Sequence, residues 1–148
     1  MLRQPDSDFT ADAAGAAALV RQGSTCRHTI SRRWPEPERD YRQWHRGLAS
    51  NDFALGVARL VQVAPDVWVA NMVGQRGIRT GSAGPPIRYD AVERCLTSLA
   101  EPARALGASV HMPRIGCGLA GGTWNRVEPI VLRTLCARDI SVTAYDHR

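Results

Sequence analysis

The chain has 148 residues, 44% hydrophobic and 22% charged, with a formal net charge of +5, which bounds it to one domain long enough to bury a core. No apolar run approaches the roughly 18 to 20 residues of a membrane-spanning helix, and the N-terminus lacks the basic-then-apolar layout of a signal peptide, so a cytoplasmic protein is expected. All 19 basic residues are arginine, which removes Schiff-base and lysine-nucleophile chemistry, and Cys26, Cys95, Cys117 and Cys136 lack the C-x-x-C spacing of a zinc site or the pattern of a disulfide framework.

The arginine excess suits a negatively charged ligand and a solvated basic surface equally well. Residues 1–28 carry little pattern: a polar start, then Ala16-Ala17-Ala18-Leu19-Val20, which reads as either a small strand or a helical turn. They are expected to form a divergent or disordered N-terminal segment before a core domain at 29–148. Residues 30–34 lead into Pro35-Glu36-Pro37, a helix end and stop, because proline disfavours helix in the residue before it. A helix over 38–48 follows, with Tyr41, Trp44 and Leu48 on the core face and Arg39, Arg42 and Arg46 toward water. His45 has no partner at ligand spacing and reads as an ordinary surface or packing residue.

Two short apolar runs, 58–63 and 67–70, flank Ala64-Pro65-Asp66 and predict a hairpin. The glycine- and proline-rich stretch 71–86 is a long connection of the kind that carries function. Asp90 and Glu93 predict a capping box opening a helix through Val92, Leu96, Leu99, Ala103 and Leu106, kinked at Pro102 and closed by Gly107. A strand over 109–112 precedes a glycine loop. Asn125 and Glu128 then predict a second capping box for a helix carrying Val127, Ile130, Val131 and Leu135, and 140–145 reads as the last strand. Alternating strands and helices with one hairpin predict an α/β fold with a mixed sheet.

The chemistry-bearing stretch is 109–124. A strand, a glycine loop and a helix start in that order make an anion site, since glycines let successive N–H groups converge and the helix N-terminus adds unpaired donors. Phosphate is the natural guest. Gly116, Gly118 and Gly121 spell G-x-G-x-x-G, but a dinucleotide fold needs further βα units, and after Gly121 only one helix and one strand remain. A P-loop is excluded because no lysine follows the glycines.

Met112-Pro113-Arg114-Ile115-Gly116-Cys117-Gly118-Leu119, with Gly122-Thr123-Trp124 opening a helix and Val142-Thr143-Ala144-Tyr145 as the last strand, resembles the macrodomain family of ADP-ribose-binding modules. The likeness is nearest the branch of the terminal ADP-ribose protein glycohydrolase and the antitoxin macrodomains. It implies a three-layer α/β/α sandwich whose loop wraps a diphosphate with backbone amides. Carried over, the ADP-ribose contacts fall on Gly116, Cys117, Gly118, Leu119, Ala120 and Gly121, entered through Pro113, Arg114 and Ile115. Asn71, Met72, Val73, Gly74 and Gln75 match the segment beside the distal ribose, and Tyr145 and Asp146 the strand end near the adenine. Arg114 reads equally as a clamp on backbone carbonyls, and Tyr145 as a core residue.

The resemblance implies ADP-ribose or an ADP-ribosylated macromolecule as partner, no cofactor or metal, and removal of ADP-ribose from protein or nucleic acid as the associated activity. No catalytic residue is assigned. The branch's lysine and aspartate positions are occupied by Gly74 and Ala120, so a lysine adduct is excluded and the usual carboxylate base is missing. Residues 1–28 do not match the family's first strands or its second glycine loop; Gly23-Ser24-Thr25 is the sole candidate remnant of the loop, and Ala16 to Val20 of the central strand. That predicts N-terminal strands missing or altered, weak affinity and marginal stability; the alternative function is a degenerate structural or interaction module. A monomer that avoids membranes and unmodified nucleic acid is expected, since Arg39, Arg42 and Arg46 lie along one ordinary helix without interleaved aromatics.

Overall fold

A computed structural model describes residues 2–3, 17–22, 33–75, 86–115 and 121–145. In chain order the elements are β1 (Leu2–Arg3), β2 (Ala17–Gln22), α1 (Glu36–Arg46), β3 (Ala58–Ala64), β4 (Val67–Met72), α2 (Tyr89–Ala105), β5 (Ser109–Pro113), α3 (Trp124–Thr134), a short 3-10 turn (Cys136–Arg138) and β6 (Val142–Tyr145). They build one mixed sheet in the order β1-β6-β5-β2-β4-β3. All neighbouring pairs are parallel except β3 and β4, the hairpin expected from 58–70.

The expectation of missing N-terminal strands is corrected here. β2 lies in the middle of the sheet, with Leu19 opposite Val69 on one side and His111 on the other. Ala17, Ala18, Leu19 and Val20 are all buried. A strand covered on both faces reads as a continuous apolar run without alternation, and a run this short carries no period by which to tell it from a helical turn. The ladder partners of β4 and β5 are therefore present.

Alternation along the strands separates two layers. Ala18 and Val20, Ala70 and Met72, Val110 and Met112, Val142 and Ala144 join one core with Val92, Leu96 and Leu99 of α2 and Val127, Ile130 and Val131 of α3. α1 packs on β3 and β4 at the opposite face. Its Trp44 is 2% exposed, donates its indole N–H to Asp52 Oδ1 at 2.8 Å and meets Tyr41 and Phe53 edge-on. The result is a three-layer α/β/α sandwich.

Helix ends differ from the sequence reading in instructive ways. α2 starts at Tyr89 with no side-chain cap; instead Asp90 pairs with Arg94, and Glu93 takes a two-pronged contact at 2.7 and 2.9 Å from Arg133 of α3. A guanidinium from the neighbouring helix outcompetes a cap for that carboxylate, and it lowers the Glu93 pKa. α3 starts at Trp124, with Thr123 in the cap position making no side-chain cap, which leaves Asn125 inside the first turn. α2 continues past Pro102 to Ala105 before Gly107, at φ +63°, turns the chain. Leu48, expected in the core, is exposed because α1 ends at Arg46.

Candidate functional site

β2 is followed in sequence by a helix on one face of the sheet, whereas adjacent β5 is followed by a helix on the other. Diverging connections leave a crevice at the carboxyl ends of such strands, the place where open α/β sheets bind ligands. The glycine loop leaves β5 at that point. Gly116, Cys117, Gly118, Leu119 and Ala120, together with Asp146 and residues 23–25, lie outside the described residues.

Pro113 ends β5, and the chain turns at once, with Ile115 N–H donated to the Pro113 carbonyl at 2.7 Å. Ile115 is buried, and it anchors the loop's entry in the core. Arg114 places its guanidinium 5.8 Å from the centre of the Trp124 ring, at the first residue of α3, and makes a further contact of its own. At the loop's exit Gly121 takes φ +73°, a backbone that favours glycine. Thr123 is extended, and the first turn of α3 carries no acidic residue, unlike those of α1 and α2. The partial positive charge of this helix start is thus uncompensated by its own side chains.

The other strand end flanking β2 is built differently. Asn71 is fully buried and donates from Nδ2 to the Pro37 carbonyl at 2.9 Å, tying β4 to α1. Met72 sits in the core beneath α2. Val73 donates to Val57 and accepts from Gly56, Gly74 accepts the Arg88 N–H at 2.9 Å, and Gln75 bridges to Ile87. Gly74 is buried. Cys95 lies below this segment, its Sγ 3.7 Å from the Val73 carbonyl; burial pushes its pKa up to about 11, so the thiol stays protonated and inert.

Tyr145 ends β6 beside Pro113. Its hydroxyl lies 3.0 Å from Nδ1 of His111, the two rings stack with centroids 6.0 Å apart, and Nε2 of His111 meets Ser109 Oγ at 2.9 Å. Burial lowers the His111 pKa and raises that of Tyr145, which favours the neutral form of each.

Two residues that the sequence reading missed lie at the loop's exit. The Tyr89 oxygen accepts the Thr123 N–H at 3.2 Å, and the Arg126 guanidinium lies 3.8 Å above the Tyr89 ring. Nothing local marks Tyr89, which is separated from Thr123 by 34 positions. His111 was also missed, although Ser109, His111 and Pro113 form the less apolar alternation of β5.

No family model matches the sequence, and no curated protein does. Solved structures do. A macrodomain protein from Streptomyces coelicolor is 44% identical over 100% of both chains, with a TM-score of 0.85. The chain belongs to the macrodomain family. That alignment takes in the N-terminal stretch whose sequence shows no family pattern. A Bacteroides thetaiotaomicron protein of unknown function is 41% identical over 99% of this macrodomain and 98% of its own length, with a TM-score of 0.92. At 19% identity, Thermosipho africanus DarTG in complex with ADP-ribose shares the fold, with a TM-score of 0.66 over 89% of this chain and 38% of that one.

Proposed function

We propose that this macrodomain binds ADP-ribose, free or attached to a macromolecule, with the diphosphate on the loop from Ile115 to Gly121. The observation that carries the reading is the position of that loop. It leaves β5 at the point where the sheet's connections diverge, and it feeds a helix start with neither a side-chain cap nor an acidic first turn. The shared fold of a protein solved with ADP-ribose supports the choice of ligand. Cys117 serves through its backbone N–H, Gly74 and its neighbours line the ribose end, and Tyr145 offers an aromatic edge near the adenine.

The proposed role is binding. The chain holds no lysine for a covalent adduct, and Ala120 provides no carboxylate base. The likeness to the branch that removes ADP-ribose makes release from modified protein or DNA the activity to assay. A rate above that of buffer extends the reading to a hydrolase, and a rate equal to it leaves a binder. Calorimetry with ADP-ribose, AMP and NAD tests the binding itself: ADP-ribose is expected to bind tightest, and no heat at millimolar ADP-ribose from a folded sample overturns the reading.

A further inference from the structure

We propose that the hydroxyl of Tyr89 donates a hydrogen bond to an anionic oxygen of the ligand at the exit of the glycine loop. The proposal rests on the ADP-ribose reading and deepens it by adding a binding residue that lies outside the loop. Tyr89 opens α2, directly after the long connection, yet its oxygen stands 3.2 Å from the Thr123 nitrogen at the start of α3 and accepts that N–H. A phenol can accept and still donate its one hydrogen. Among the described residues nothing accepts that hydrogen. Accepting the backbone N–H polarises the O–H bond, so the hydroxyl passes on the donor character of the helix start in strengthened form.

The surroundings select an anion. Arg126 places its guanidinium over the Tyr89 ring, 3.8 Å from its centre, which brings positive charge to the same place. Gly121 at φ +73° and the extended Thr123 lead into α3 beside this hydroxyl, and no acidic side chain in the first turn of α3 competes for it. A phosphate oxygen is the acceptor that fits a neutral donor, a helix N-terminus and a guanidinium together.

Two variants decide it. Tyr89→Phe keeps the ring under Arg126 and loses only the hydroxyl; Tyr89→Leu loses both. Melting temperature without ligand and ADP-ribose affinity by calorimetry are measured for each. Tyr89→Phe is expected to melt like the unsubstituted chain while binding ADP-ribose about tenfold more weakly, close to the loss in Tyr89→Leu. Restoration of full affinity by Tyr89→Phe overturns the proposal, since the ring alone then suffices. If the unsubstituted chain binds no ADP-ribose, the binding reading itself fails, an outcome distinct from a bound ligand indifferent to the hydroxyl.

Discussion

The two strand ends that flank β2 occupy equivalent places in the sheet and have opposite hydrogen-bonding character. After β4, residues 71–75 are closed by their own chain: Asn71 to Pro37, Val73 to Gly56 and Val57, Gly74 to Arg88, Gln75 to Ile87. After β5, the described ends of the loop carry Arg114 beside the Trp124 ring at the entry and, at the exit, a helix start whose Thr123 side chain makes no cap and whose Thr123 N–H is donated to Tyr89. One edge is closed by its own chain, and the other bounds the loop proposed above to hold the diphosphate. β4 is bonded along its whole length to both β2 and the hairpin strand β3, which holds the start of the 71–75 segment in place.

This contrast can be broken from either side. The largest effect is expected at the foundation of the closed edge. Trp44→Ala should cost about 3 to 5 kcal/mol of stability by denaturant unfolding, because the indole that anchors α1 is almost wholly buried. ADP-ribose affinity of the folded fraction should hold within about threefold. On the side of the proposed diphosphate loop, Gly118→Glu adds a negative charge to that loop and should weaken ADP-ribose binding about 100-fold, or about 2.8 kcal/mol, with the melting temperature little changed. Unaltered affinity would remove the loop from the site. Asn71→Ala removes the buried side-chain hydrogen bond that ties β4 to the Pro37 carbonyl of α1 and should cost about 0.5 to 1.5 kcal/mol of stability. A larger loss of affinity than of stability would show that the β4 edge meets the ligand directly through this amide.

The smallest effect concerns pH. Burial lowers the His111 pKa from 6.5, so the unfolded chain takes up a proton that the folded chain resists. Stability is then full above about pH 6.5 and falls as pH drops below it toward the folded value, with a slope of at most about 1.4 kcal/mol per pH unit. Melting curves between pH 8 and 5 should show the fall, and His111→Phe should flatten it. An equal fall in the variant would assign it to other groups.

Much of the architecture was legible in the sequence because it rests on short-range periodicity. The hairpin of β3 and β4, the apolar stripes of α2 and α3, the turn at Gly107 and the glycine loop between β5 and α3 all follow from residues within a few positions of one another. The capping box expected at Asp90 and Glu93 failed for a longer-range reason: Glu93 meets Arg133, 40 positions away, and no local pattern encodes that competition.

β2 shows the boundary most sharply. Its Ala17-Ala18-Leu19-Val20 run has no period of its own, and only the ladders to β4 and β5 make it the centre of the sheet. By itself the sequence determined that lysine chemistry is excluded, and it raised the expectation of an anion at the glycine loop, since side-chain inventory and backbone freedom are local properties. The tertiary structure decided that the loop stands at a diverging pair of connections, that residues 71–75 are closed by their own chain, and that Tyr89 reaches Thr123. Those depend on which strands and helices come to lie side by side, and that is settled by burial and pairing over the whole chain.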